Sequence, residues 1–108
     1  MDKLEQLKSV SDPGIVALNA YNYYKSLGVD SPDMNQLFGI SNHKFKKYKI
    51  FDIYKNKYIH FGDIRYHDFT KSKNNEHRQN YLNRSASIKG DWASNPFSPN
   101  MLARKLLW

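Results

Sequence analysis

At 108 residues the chain is long enough for one domain with a modest core and too short for two independent ones. It contains no cysteine, which excludes disulfides, thiolate nucleophiles and cysteine-based zinc sites together, and no apolar run nears the ~20 residues of a membrane-spanning helix. The formal charge is +7, and the excess lies in residues 43–89, which hold twelve Lys/Arg against four Asp/Glu; the rest of the chain holds five against six.

Such a concentration of positive charge attracts polyanions or acidic protein surfaces, and its competing explanation is a solvated face that keeps the protein soluble. Aromatic residues make up 15% of the chain, eight of them Tyr, so the core is expected to be built from Tyr and Phe with hydroxyls reaching its edge. The start, MDKLEQLKSV, lacks the apolar stretch of a signal peptide. Synthesis in the cytosol of the producing cell is expected.

In chain order, residues 2–9 suit a short amphipathic turn with Leu4 and Leu7 inward and fraying ends. A firmer helix spans 11–28: Ser11 or Asp12 caps it, Pro13 suits its first turn, and Gly28 its end. Val16, Ala20, Tyr23, Tyr24 and Leu27 share one face, with Asn19, Asn22 and Ser26 opposite. A shorter helix is predicted over 32–38, capped by Ser31 and stopped by Gly39, with Met34, Leu37 and Phe38 inward.

The period then changes from helical to alternating. Residues 47–62 read as a β-hairpin with strands at about 47–54 and 58–62 and Asn56 at the tip. On the second strand Tyr58 and His60 take one face, Ile59 and Phe61 the other, which enters the core. Gly62 ends the hairpin with φ > 0. Asp63 is placed to pair with Arg65, Asp68 to cap or pair near Thr70 and Lys71, and Tyr66 and Phe69 to anchor the loop.

A surface helix follows over 76–84, capped by Asn74 or Asn75, and Trp92 and Phe97 anchor an irregular linker. The last helix, 99–107, starts at Ser98 and Pro99 and stacks Leu102 on Leu106. With Leu107 and Trp108 it forms an apolar end that needs covering, by this domain or by a partner. Together these elements predict one α+β domain with helices around a central β-hairpin.

Chemical readings compete over the same residues. His60, His67 and His77, with Asp63, Asp68 and Asn75, would be the ligands and base of a hairpin-helix metal nuclease, but their spacing matches no metal motif. No phosphate-cradling glycine loop or nucleophile elbow is present. A helix-turn-helix at 31–48 would require a recognition helix of only seven residues that turns at once into a strand. Sequence-nonspecific nucleic-acid binding asks for less, namely cations interleaved with aromatics, as in NHKFKKYK and YKNKY. The candidate contacts for nucleic acid or an acidic partner are Lys44, Lys46, Lys47, Lys49, Lys55, Lys57, Arg65, Lys71, Lys73, Arg78 and Arg84. A scaffold reading instead docks Leu102, Leu106, Leu107 and Trp108 on a neighbour and uses Arg and Tyr as interface anchors.

An ordered set of short motifs runs through the chain: Lys46, Lys47 and Tyr48; His60, Phe61 and Gly62; Tyr66; then Asp68, Phe69, Thr70, Lys71 and Lys73. It continues through Arg78, Tyr81 and Arg84, then Ser98, Pro99, Leu102 and Leu106 to Trp108. This set resembles a family of short basic proteins of undetermined function from large DNA viruses, whose pattern is K-K-Y, H-F-G, Y, D-[FY]-T-K-x-K, R-x-x-[YF]-x-x-R and L-L-W. Counting SDPGIV near the start, the likeness covers about residues 11–108. Ser72 and Ser85 stand where members often carry His, or His or Asn, so a site built on those histidines would be incomplete here.

The resemblance implies a viral protein, in keeping with the many Lys, Asn, Ile and Tyr residues of AT-rich coding, and it implies no chemistry. The expectation is a non-enzymatic structural component of the particle, a minor capsid or internal virion protein, found in the virion and in the cytoplasm or viral factory of the host cell. Its expected partners are viral structural proteins and, in the alternative of a nucleic-acid-binding accessory protein, DNA or RNA. No catalytic residue, metal, cofactor or small-molecule ligand is expected.

Overall fold

Two aspartates set the first two helices. The Asp2 carboxylate accepts the Glu5 amide at 2.8 Å and starts α1 (Lys3–Val10). The Asp12 carboxylate accepts the amides of Gly14 and Ile15 at 3.1 and 3.2 Å and starts α2 (Pro13–Ser26). The computed structural model describes residues 2–108. In it α1 is a full helix and not a frayed turn, because Lys3 Nζ donates to the carbonyls of His43 and Lys46 at 2.6 and 2.8 Å. The core meets only its C-terminal half: Leu7 and Val10 are buried, whereas Leu4 is exposed, against the expectation for that residue.

The predicted helix over 32–38 shrinks to one turn, α3 (Met34–Leu37), with Asp33 and not Ser31 at its N-cap. Gly39 does not stop a helix but lies within a strand, β1 (Phe38–Ile40), which pairs antiparallel with β2 (Lys46–Asp52) in the register Phe38↔Ile50 and Ile40↔Tyr48. On the other side β2 pairs with β3 (Lys57–Asp63), Tyr48 opposite Phe61 and Ile50 opposite Ile59. The predicted hairpin is therefore part of a three-stranded sheet of order β1-β2-β3. Its turn is held by Asp52, whose carboxylate accepts the amides of Tyr54 and Lys55 at 2.9 and 3.1 Å, and is closed by Asn56 at φ 57°.

Beyond the sheet come α4 (Phe69–Ser72) and α5 (Asn75–Ala86), the latter capped by Asn74 through the His77 amide at 3.0 Å. The last element, α6 (Pro99–Leu102), starts at the Ser98 hydroxyl and runs on through a wider turn, Ala103–Leu107, in which the Trp108 amide donates to the Ala103 carbonyl at 3.2 Å. α2 packs on this turn and α6 on β3. Val16, Ala20 and Tyr24 thus meet Tyr48, Ile50 and Phe61, with Phe97, Leu102 and Leu106 completing the core. The class is α+β. The Cα radius of gyration of 13.3 Å equals the ~13 Å of a folded domain this long, so the core closes within one chain.

The tyrosines of this core give it a pH limit. Tyr24 donates to the Phe51 carbonyl, Tyr23 to the Pro96 carbonyl at 2.6 Å, and the Tyr48 hydroxyl lies 2.7 Å from Ser11 Oγ. Burial raises the phenol pKa of Tyr24 and Tyr48 strongly and that of Tyr23 and Tyr81 less. Folded phenols that hold their protons longer than unfolded ones stabilise the fold fully below the ordinary phenol pKa of about 10, and that stability is lost as pH rises above it. Lys47 and Lys3, whose pKa values burial lowers, act in the opposite sense. Thermal unfolding should therefore show a melting temperature that falls steeply above pH ~10, with tyrosinate absorbance appearing in the same transition. Titration of these tyrosines near pH 10 in a still-folded protein would contradict this.

Candidate nucleic-acid interface

Alternation along the strands directs Tyr48, Ile50 and Phe61 to the core and leaves Lys49, Phe51, Tyr58 and His60 on the opposite, outer face. They meet as cross-strand pairs, Lys49 with His60 and Phe51 with Tyr58. The Phe51 and Tyr58 rings pack edge to face at 5.2 Å, and Lys49 Nζ sits 4.8 Å from the Tyr58 ring centre. Gly39 of β1 lies beside Lys49, where a Cβ would sit 3.6 Å from Lys49 Cε, an ordinary contact. His43, from the loop before β2, stacks on His60 at 3.5 Å and 12°. Ser41 joins the two: its Oγ accepts the His43 amide at 3.0 Å and lies 2.7 Å from His60 Nδ1. Burial, followed by the positive charges and ring nearby, lowers the His60 pKa, so a neutral ring is favoured in the stack.

Most of the predicted cations surround this sheet. Lys44 and Lys46 are exposed at the entry to β2, and Lys55 and Lys57 at the hairpin; Lys71 and Lys73 are exposed at α4, Arg78 and Arg84 on α5. Phe45, half exposed, lies under Lys44 and Arg65, with Nζ 5.2 Å and the guanidinium carbon 4.9 Å from its ring centre. Two of the predicted cations differ. Arg65 is held by Asp63 through Nε at 3.0 Å and Nη2 at 2.8 Å, and this hydrogen bonding lowers the Asp63 pKa to about 2. Lys47 is no surface contact at all: it is 2% exposed and its Nζ meets Asp68 Oδ2 at 3.0 Å in the interior. These are the ion pairs among the described residues, so the other nine predicted cations have no Asp or Glu partner there.

The residues predicted for docking also move inside. Leu102, Leu106 and Leu107 are buried in this domain's own core, because α6 and the turn after it close over β3 and α2. Trp108 is half-buried, stacked on Tyr81 at 4.3 Å and 11° with the His77 ring at its edge. Tyr66 is 65% exposed and anchors nothing, while Phe69 is half-buried under Arg78. Residues 41–45 form a loop, so no recognition helix exists there.

A cleft of about 590 Å³ opens beside β3 and brings together His67, His77, Tyr81, Arg84, Leu107 and Trp108. His60 does not line it, so the three histidines do not converge, and the described residues hold no cluster of metal-ligating side chains. The sequence reading missed this cleft, and it missed His43 and Gly39 on the sheet face. His43 carried no local signal, because a loop histidine becomes part of a face only once the strands pair. Residues 38–85, less than half of the chain, match a family described as one of unknown function, DUF5754. No curated protein and no solved structure matches the chain.

Proposed function

We propose that the protein is a non-enzymatic, sequence-nonspecific nucleic-acid-binding protein of a large DNA virus, carried as an internal structural component of the particle. The observation that carries the binding reading is the outer sheet face, where Phe51, Tyr58 and the His43–His60 stack lie among Lys44, Lys46, Lys49, Lys55 and Lys57, none with a carboxylate partner among the described residues. Aromatic rings accept unstacked bases of any sequence, and lysines neutralise the phosphates between them. Burial of Leu102, Leu106 and Leu107 within the domain argues against a partner-dependent scaffold and favours a module that folds alone. The viral origin and the place in the virion rest on the motif resemblance.

Fluorescence anisotropy with a labelled single strand and a labelled duplex tests the binding reading. Four single-strand phosphate contacts would give a log–log salt slope near −3, or a loss of about fiftyfold between 50 and 200 mM salt. Tyr58→Ala should weaken single-strand binding by a further ~1–3 kcal/mol for one lost stack. Absence of binding at 50 mM salt would sink the proposal and leave an acidic protein surface, as on a minor capsid protein, as the partner of the basic face. Mass spectrometry of purified particles checks the location, and absence at a depth that finds other minor components counts against it.

A further inference from the structure

The cleft beside β3 is lined by none of the sheet-face rings and combines two kinds of side chain. Arg84, His67 and His77 are polar; Tyr81, Ala103, Leu107 and Trp108 are largely apolar, and Arg84 and His77 lie against the aromatic pair. Its volume of about 590 Å³ falls within the ~300–1,000 Å³ of small-molecule sites. Two cations of the lining are already satisfied, Lys47 by Asp68 and Arg65 by Asp63. Arg84 is the lining guanidinium with no carboxylate partner among the described residues, and its carbon lies 5.7 Å from the Tyr81 ring centre. A planar guanidinium fork suits a phosphate, and exposed imidazoles beside it supply further N–H donors.

The aromatic pair suits a flat ring. Tyr81 and Trp108 are stacked at 4.3 Å and 11°, and the stack is held by the His77 ring edge at 4.9 Å and by Arg78 Nε, which donates to the Trp108 carbonyl. Beneath it the backbone comes unusually close: Gly62, at φ 80°, would place a Cβ 3.0 Å from Leu107 Cδ1 and 3.1 Å from Lys47 Cβ. A plain anion would leave the aromatic pair unused, and an apolar ligand would leave Arg84 without an anion. From this pairing of an unsatisfied guanidinium with a rigid aromatic stack, we propose that the cleft binds a nucleoside phosphate unit, with its phosphate on Arg84 and its base against Tyr81 and Trp108. That unit is either a free nucleotide or the phosphorylated end of a strand.

Titration calorimetry on the full chain with AMP, adenosine and inorganic phosphate as probes tests this. AMP should bind at least tenfold more tightly than either fragment, because only AMP uses both the guanidinium and the aromatic pair. Arg84→Gln should lower AMP affinity at least tenfold, toward that of adenosine, and Tyr81→Leu should lower it toward that of phosphate. Circular dichroism of each variant verifies the fold. Competition by a 5′-phosphorylated oligonucleotide, but not by its unphosphorylated twin, identifies a strand end as the ligand; AMP binding without such competition identifies a free nucleotide. AMP binding no better than its fragments at millimolar concentration, or unchanged in Arg84→Gln, overturns the proposal. Strand binding to the sheet face is read separately through Tyr58→Ala, so the two sites fail independently.

Discussion

Asp68→Ala should remove about 3–5 kcal/mol of folding stability, most of what a domain of this size has to lose. Asp68 is fully buried, and its carboxylate accepts Lys47 Nζ at 3.0 Å, the Thr70 amide at 3.0 Å and the Thr70 hydroxyl. Its own amide donates to the Val10 carbonyl at 3.0 Å, and Thr70 Oγ1 accepts the Asp12 amide at 3.0 Å. The group therefore joins β2, the start of α4 and the junction of α1 with α2. Without it the Lys47 ammonium is buried without its ion-pair partner.

Burial already lowers the Lys47 pKa, and the Asp68 charge and hydrogen bond are what oppose that fall. In Asp68→Ala only the weaker influence of Asp63 remains, so the folded state binds the lysine proton still more weakly than the unfolded state does. The variant's stability should consequently rise with pH through the interval between the folded and unfolded lysine pKa values. Urea unfolding measures both effects. The double variant Lys47→Met/Asp68→Leu should recover part of the loss, because no charge is then left buried, while the Thr70 amide and hydroxyl still lack the Asp68 acceptor. A loss under about 1 kcal/mol in Asp68→Ala would contradict the buried pair.

Leu106→Ala should cost about 2–5 kcal/mol, as expected for a leucine with no exposed surface. Leu106 sits where α2 packs on the turn after α6, and its carbonyl is held by Asn19 Nδ2 at 2.8 Å. The cost should be independent of protein concentration, since the side chain fills this chain's own core. A docking leucine on a free surface would instead change stability by less than about 0.5 kcal/mol. Urea midpoints at two protein concentrations distinguish the cases.

The elements that were legible beforehand share a property: their signals lie within a few residues of the structure they specify. Asp12 and Pro13 open α2 and Gly28 leaves it at φ 92°; Asn74 opens α5; Asn56 sits in the hairpin turn at φ 57°. The Asp63–Arg65 pair, two residues apart, was readable for the same reason, as was the Tyr58–His60 face of β3. β1 was not readable. Three residues carry no period, and a glycine at their centre looks the same whether it ends a helix or lies beneath Lys49.

Lys47 marks the limit most clearly. In KKYK it resembles its neighbours, and only a carboxylate twenty-one positions later, buried at the same place, turns it inward. By itself the sequence determined the class of the protein: one basic, Tyr-rich α+β domain, with cations concentrated around a hairpin and an apolar C-terminal segment that had to be covered. Caps, turns and periodicity act through hydrogen bonds and burial over one or two turns of chain, so they can be read locally. Tertiary structure decided which cations stay in water, that the C-terminal leucines are covered by their own domain, and that Tyr81, Arg84 and Trp108 meet His67 in one cleft. Those outcomes depend on strand register and on the packing of helices distant in sequence, where desolvation and close contact select among partners that no local pattern names.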